Sequence, residues 1–229
     1  MNMTRVVIIG AGGFAREVLD VFEACNQDTP RYDVLGFIVD PQYGAPGTLV
    51  NDKPILGGFD RLRDLADHVK VICGVGAPEY RRRLVARARE LGCHFCSVVH
   101  PSVIVTRWVE IGEGSVIAAS CTLSNHVNIG AHVHINPACT IGHDTMFADF
   151  AALGPGVCVS GNVVLQEGCY VGTGASIIQR IEVGRWSVIG AGCTVIRNVL
   201  PNSTVVGVPG RVVKTRESGW HLHEQDEAH

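Results

Sequence analysis

A six-residue repeat in the C-terminal half of the chain is the feature that most constrains its fold. Every sixth residue from Val99 to Val195 is apolar, and the register never slips. The residue four places after each of them, from Val103 to Val199, is small or β-branched. So short and regular a period predicts a solenoid of short parallel strands, in which each repeat directs one large and one small side chain inward.

Glycines and cysteines follow the same register. Glycine often comes directly after the large apolar residue, and we expect it to relieve corners where φ is positive. These glycines are Gly112, Gly130, Gly142, Gly154, Gly172, Gly184 and Gly190. The column of small residues contains Cys121, Cys139, Cys169 and Cys193. The pattern predicts that these four thiols are core residues rather than metal ligands or nucleophiles.

Strands and helices alternate in the first part of the chain. The apolar runs predict strands over 5–9, 32–40 and 69–76, and helical spacing predicts helices over 14–25, 57–68 and 78–92. This alternation predicts a small parallel α/β domain. We therefore divide the chain into an α/β domain (1–98), a solenoid (99–214) and a flexible C-terminal tail (215–229).

Composition excludes several classes of protein. The net charge is −3 without a long single-sign run, so we expect no nucleic-acid partner. We interpret the cluster of five arginines between Arg81 and Arg89 as the solvated face of a helix, and only secondarily as an anion site. The chain has neither a signal-peptide pattern nor an apolar run of about 20 residues, which predicts a cytoplasmic protein without membrane insertion. Nine cysteines agree with a reducing compartment.

The repeat and the α/β domain before it together resemble the hexapeptide-repeat acetyltransferases. Within that family, the combination is similar to the nucleotide-amino-sugar N-acetyltransferases and their sialic acid O-acetyltransferase relatives. The resemblance covers Val99 to Leu200 and implies a Rossmann-like N-terminal domain followed by a left-handed parallel β-helix. Three hexapeptides then form one triangular coil, so that residues 18 apart lie on neighbouring coils. The resemblance also implies a homotrimer and acetyl-CoA as co-substrate, without a metal.

One segment, residues 135–150, matches the catalytic stretch of that family. The family places an asparagine seven residues before the catalytic histidine and an acidic residue after it, and here these are Asn136, His143 and Asp144. The resemblance implies that His143 is the general base, a role that suits an imidazole at neutral pH. It also implies that Asp144 orients His143 and that Asn136 contacts the acceptor. Gly161, 18 residues after His143, matches the glycine whose N–H faces the thioester carbonyl.

The resemblance extends to both substrates. Gly161, Thr173 and Ala191 would contact acetyl-CoA. The residues that would hold the nucleotide-linked amino sugar are Gly12, Gly13, Phe14, Asp40, Gly76 and Asn136. The sequence departs from the family in two places, because many relatives have histidine where Phe14 stands and often a second histidine where Ala152 stands.

The predicted function is transfer of an acetyl group from acetyl-CoA to the amino group of a nucleotide-linked amino sugar, in surface glycan biosynthesis. An O-acetyltransferase of the sialic acid type is the alternative within the same class. A zinc enzyme of the β-helix carbonic anhydrase type is considered because His126, His132 and His134 are close in sequence. We expect these histidines instead to line a subunit interface or the acceptor pocket. A non-catalytic scaffold is the last alternative.

Overall fold

The N-terminal domain is built on a six-stranded sheet. The computed structural model describes residues 3–222. The order across the sheet is third, fourth, second, first, fifth and sixth strand, and all neighbours are parallel except the third and fourth. The strands are β1 (Thr4–Ile9), β2 (Tyr32–Ile38), β3 (Leu49–Val50), β4 (Lys53–Gly57), β5 (Lys70–Cys73) and β6 (His94–Phe95).

Three α-helices cover the sheet: α1 (Gly13–Cys25), α2 (Phe59–Leu65) and α3 (Pro78–Glu90). A short 3₁₀ turn follows β2 at Pro41–Tyr43, and another follows α2 at Ala66–His68. Helix α1 buries one apolar face, including Val18, Leu19 and Phe22, against the sheet, as its helical spacing predicts. The same cluster includes Val98 and Val116 of the solenoid, so α1 is packed between the sheet and the second domain.

The hairpin of β3 and β4 was not predicted, because residues 41–56 were interpreted as a polar loop and Gly57 as the start of a helix. Its turn consists of Asn51 and Asp52, both with left-handed φ (42° and 61°). Asparagine and aspartate tolerate this conformation better than other side chains and favour tight hairpin turns. The Asn-Asp pair was therefore the signal in the sequence that could have revealed the hairpin.

The second domain is a β-helix of two-residue strands that recur every six residues. Strand partners are 18 residues apart, as in the run from Val98 through Val116 and His134 to Ala152, which confirms the predicted coil. The strands are β7 (Val98–Val99), β8 (Ile104–Val105), β9 (Glu110–Ile111), β10 (Val116–Ile117), β11 (Thr122–Leu123), β12 (Asn128–Ile129), β13 (His134–Ile135), β14 (Thr140–Ile141), β15 (Met146–Phe147), β16 (Ala152–Leu153), β17 (Cys158–Val159), β18 (Val164–Leu165), β19 (Tyr170–Val171), β20 (Ser176–Ile177), β21 (Glu182–Val183), β22 (Val188–Ile189) and β23 (Thr194–Val195).

The inward columns form one continuous core. It runs from Ile117 to Val205 and includes the four cysteines of the small-residue column, all of which are buried. The first coil differs, because it has no coil above it. Val105 occupies an inward position in the repeat but remains 46% exposed.

The repeat glycines have a different role from the expected one. Positive φ occurs two residues later, at residues such as His132, Asp144 and Gly156. The repeat glycines instead permit close contact between coils. A Cβ at Gly142 would lie 2.5 Å from the backbone nitrogen of Gly161 on the next coil, a distance that no real Cβ contact allows.

The C-terminal segment adds two strands to the sheet of the β-helix that contains β22. Strand β24 (Ser203–Val206) pairs in parallel with β22, and β25 (Arg211–Thr215) pairs antiparallel with β24. A 3₁₀ turn follows at Trp220–Leu222, where the ring of His221 stacks on Trp186 at 3.7 Å. The rest of the predicted tail, 223–229, lies outside the described residues. Within residues 3–222, no helix has the length and apolar character needed to cross a membrane.

The arginine cluster on α3 is not the uniformly solvated face that the sequence suggested. Arg81 is completely buried at the junction of the two domains, and Arg87 pairs with Asp40. Arg81 lies on the same helix face as Val85 and Ala88, which are also buried. Its place within this apolar stripe was the signal in the sequence that the charge-based interpretation overlooked.

Candidate active site

The turns between strands stack into columns along the β-helix, and two of these columns contain the predicted catalytic and cofactor residues. The His143 corner consists of Asn125, His143 and Gly161. It is joined by hydrogen bonds from Asp144 N–H to Asn125 O (3.0 Å) and from Asn162 N–H to His143 O (2.8 Å). The Pro137 corner consists of Ala119, Pro137, Pro155, Thr173 and Ala191. The sheet that contains β14, β17 and β20 separates the two corners.

His143 and Asp144 form a hydrogen-bonded pair. The Nδ1 atom of His143 lies 2.7 Å from Oδ2 of Asp144, and both side chains are more than half exposed. When the carboxylate accepts the Nδ1–H, the unprotonated ring nitrogen is Nε2. The arrangement leaves Nε2 available as a proton acceptor.

Gly161, one coil after His143, lies directly against the imidazole ring. A Cβ at this position would come 2.7 Å from Nε2 of His143, so a side chain here would displace the ring. The N–H of Gly161 donates to no acceptor among residues 3–222. One corner therefore holds a base and an unused backbone donor on successive coils.

Asn136 lies at the other corner, next to Pro137. Its Nδ2 donates to the carbonyl of Leu153 at 2.6 Å, and the side chain is half-buried. Thr173 and Ala191 are exposed on lower coils of the same Pro137 corner. The single chain thus does not bring Asn136, Thr173 and Ala191 to the His143 corner, because β14 and its flanking residues separate them.

The predicted acceptor glycines lie at the carboxyl ends of β1 and β5. Gly12 is the N-cap of α1, and a Cβ at either Gly12 or Gly76 would meet nothing within 4 Å. The loop after β5 packs tightly against the first turn of α1 at Gly74, where a Cβ would lie 2.7 Å from the Cα of Ala15. The two loops leave open space at a helix N-terminus, where backbone N–H groups favour phosphate.

Phe14 and Ala152 lie against the same histidine. The Phe14 ring is 4.7 Å from that of His134, and Ala152 pairs with His134 in neighbouring strands. A hollow of about 190 Å³ opens beside Phe14, lined also by Val18, Ala118 and Pro137. Both departures from the family pattern therefore occur at the junction between the N-terminal domain and the β-helix, on opposite sides of His134.

Asp40, expected near the nucleobase, has a partner within the chain. Its two carboxylate oxygens accept hydrogen bonds from Arg87 at 2.9 and 3.2 Å. The guanidinium of Arg87 lies 3.8 Å from the ring centre of Phe59. A nucleobase would therefore meet an ion pair here rather than a free carboxylate.

The three neighbouring histidines lie in two environments. His126 is exposed, with its ring 5.4 Å from that of Trp108. His132 and His134 are buried between the domains, where they contact Arg81 rather than lining an open pocket. Within the part of the chain that the structure describes, no group of His, Cys, Asp or Glu could hold a metal ion.

Burial keeps both junction histidines neutral. Desolvation lowers the pKa of His132 to about 3, with Arg89 and Arg81 contributing, and it lowers the pKa of His134 well below its usual value, with Arg81 contributing. Burial also lowers the pKa of Arg81 to about 10, so this guanidinium is charged at neutral pH. Its charge is stabilised by carbonyl dipoles rather than by a salt bridge.

Comparison with known proteins agrees with this architecture. Residues 5–88 match the PglD N-terminal domain family. Perosamine N-acetyltransferase from Caulobacter crescentus, solved with CoA and GDP-perosamine, is 26% identical, with a TM-score of 0.85 over 93% of this chain and 98% of that one. The acetyltransferase domain of PglB from Neisseria gonorrhoeae, solved with acetyl coenzyme A, is 27% identical, with a TM-score of 0.83 over 93% and 100% of the two chains.

A third similar structure is WeeI from Acinetobacter baumannii, 28% identical with a TM-score of 0.81 over 93% of this chain and 100% of that one. Among curated proteins, no sequence matches significantly. The fold and these similarities define the chain as an acyltransferase with a left-handed β-helix, as the sequence predicted. Within that class, it resembles the nucleotide-sugar N-acetyltransferases of the hexapeptide-repeat family.

Proposed function

We propose that the protein transfers an acetyl group from acetyl-CoA to the amino group of a nucleotide-linked amino sugar. The observation that carries the proposal is the His143 corner, where a carboxylate-paired imidazole lies against Gly161 on the next coil. The similar structures support acetyl-CoA as the donor, because one contains it and another contains CoA with GDP-perosamine. A cytoplasmic location and a role in surface glycan synthesis stay predictions.

In this mechanism, the acceptor amine attacks the thioester carbonyl while His143 Nε2 removes its proton. Asp144 accepts the Nδ1–H and stabilises the imidazolium that forms. The N–H of Gly161 donates to the tetrahedral oxyanion. The C–S bond then breaks, and the imidazolium returns the proton to the departing CoA thiolate.

The proposed site is shared between two copies in a trimer. On one chain, His143 and Asn136 lie at different corners, so a site that uses both draws them from neighbouring chains. The pantetheine arm would follow the groove between chains, along Gly161, Thr173 and Ala191. Thr173 and Ala191 are exposed residues, which supports this course.

The proposed acceptor site begins at the open loops of Gly12, Gly13 and Gly76. The diphosphate would lie at the N-terminus of α1, the sugar beside Phe14 and Asn136, and the nucleobase near Asp40. The apolar hollow between Phe14 and Pro137 supports a path from these loops toward the Pro137 corner.

The test is thiol release from acetyl-CoA with a panel of nucleotide-linked 3-amino and 4-amino sugars. We expect turnover with one of them, and a loss of about 10²- to 10⁴-fold in kcat for His143→Ala. The matched control is His68→Ala, which removes an exposed histidine of the N-terminal domain and should leave kcat unchanged. Equal turnover by wild type and His143→Ala would remove this residue from the mechanism. Turnover on hydroxyl acceptors alone would establish the O-acetyltransferase alternative.

A further inference from the structure

Arg81 is the largest fully buried side chain in the molecule as described, over residues 3–222. It extends from α3 into the junction between the domains, and all of its guanidinium nitrogens are used. On the N-terminal side, Nη1 donates to the carbonyls of Val75 (3.1 Å) and Gly76 (2.7 Å). These two residues form the loop after β5, whose Gly76 faces the proposed acceptor site.

The same guanidinium donates to three carbonyls of the β-helix. Its Nε donates to His132 O at 3.0 Å, and its Nη2 donates to Phe150 O at 2.7 Å and more weakly to Ala151 O at 3.4 Å. His132 and Phe150 belong to successive coils, because Phe150 N–H bonds back to Ala131 O. One side chain therefore connects a single loop to two coils of the solenoid.

His134 extends this connection to the other acceptor loop. Its Nδ1 accepts a hydrogen bond from Arg81 Nη1 at 3.0 Å, and its ring packs against Phe14 at the start of α1. The loop before α1 contacts the loop after β5, since Gly74 N–H donates to Ile9 O at 2.8 Å. Both acceptor loops are thus attached to the β-helix through Arg81.

We propose that Arg81 is a positioning residue that fixes the acceptor loops at one height along the β-helix. The position of the loops along the β-helix axis is critical because successive coils are about 4.8 Å apart. A shift of about 1 Å is enough to slow a reaction that depends on alignment of the two substrates. Lysine cannot replace the planar fork, which binds several carbonyls at once. The kinetic consequence rests on the proposed function, whereas the structural consequence does not.

The experiment compares Arg81→Met and Arg81→Lys with Arg82→Met. Arg82 is the matched control, because it joins α3 to the β-helix by an exposed ion pair with Glu167 at 3.5 Å. We expect Arg81→Met to raise the KM for the nucleotide sugar at least about tenfold, with the KM for acetyl-CoA within about twofold. Arg81→Lys should fall between Arg81→Met and wild type, and Arg82→Met should match wild type.

Hydrogen exchange supplies a measurement that needs no turnover. In Arg81→Met, and to a smaller extent in Arg81→Lys, amides of residues 10–14 and 72–77 should exchange faster. Peptides covering 156–180, for which the structure shows no Arg81 contact, should keep wild-type rates. Unchanged exchange in the two loops would overturn the inference, as would an equal increase throughout the chain, which marks a general loss of stability. If wild type acetylates no nucleotide sugar, the proposed function fails, and exchange alone decides the role of Arg81.

Discussion

At the scale of the residue, Gly161 explains why a glycine is needed beside the base. Its neighbour on the preceding coil is the ring of His143, and the space between them is too small for a methyl group. The same residue offers the backbone donor that we assign to the oxyanion. Steric fit and hydrogen bonding therefore constrain the same position.

We predict that Gly161→Ala lowers kcat by about 10²-fold, because the added Cβ must displace the imidazole or the coil below it. The measurement is steady-state thiol release at saturating acetyl-CoA. Ser160→Ala, which alters an exposed neighbour, is the control and should retain wild-type kcat. A fully active Gly161→Ala enzyme would mean that His143 does not act from the observed position.

The sequence located these residues but not all of their surroundings. His143, Asp144 and Gly161 lie together because residues 18 apart lie on adjacent coils, and the period is visible in the sequence. The partner of Asp40 was not predictable, because Arg87 is 47 residues away in a different element. A contact of that kind depends on how α3 packs against the sheet.

At the scale of the element, the junction of α3 with the β-helix contains a buried cation and two neutral imidazoles. The sequence did not predict this buried junction, because five arginines on one helix are typical of a solvent-exposed face. The fold class of each domain, by contrast, follows from local periodicity, although the β3–β4 hairpin does not. Tertiary packing selected one arginine of the five for burial, and local pattern carries little information about that choice.

The two histidines predict how stability changes with pH. Their pKa values are lower in the folded protein than in the unfolded chain, so below about pH 6.5 the unfolded chain binds protons that the folded protein does not. The contribution of the two histidines to the free energy of unfolding should therefore be fully present above about pH 6.5 and should decrease as the pH falls toward 3. Each histidine contributes a slope of up to about 1.4 kcal/mol per pH unit.

Urea unfolding between pH 7.5 and 4.5 measures this slope. His132→Gln should lower this slope by up to about 1.4 kcal/mol per pH unit, the contribution of one proton, because glutamine does not titrate. This holds whatever the effect of the substitution on stability at pH 7.5. The comparison is Ser160→Ala, which alters an exposed side chain without removing a titratable group and should keep the wild-type slope. Identical slopes for His132→Gln and wild type would show that His132 takes up its proton in the folded protein as readily as in the unfolded chain.

At the scale of the whole molecule, the structure separates the proposed machinery into two corners of one β-helix. His143 and Gly161 occupy one corner, and Asn136, Thr173 and Ala191 belong to the other. No rotation of a side chain can bridge a whole sheet. The proposed trimer would resolve the separation, because its cyclic symmetry would place the first corner of one copy beside the second corner of the next.

This arrangement predicts complementation between two inactive variants. His143→Ala and Asn136→Ala should each be nearly inactive alone. When they are unfolded together and refolded as an equal mixture, each mixed trimer contains one intact site, which restores about a quarter of wild-type activity. Thiol release measures the recovery, and separately refolded variants combined afterwards are the control. Absence of recovery in verified mixed trimers would place each complete site within one chain.

The unbroken six-residue register also restricts how a protein of this kind can change in length. Six extra residues between Asn136 and His143 would keep every inward side chain inward and His143 beside Gly161, but would move both to the next corner relative to Asn136 and the N-terminal domain. A duplication of 18 residues would preserve the edges and alter only the number of coils. Such proteins can therefore gain or lose whole coils above or below the site without disturbing it, whereas a six-residue insertion within the catalytic coil moves the base to a different corner from its partners.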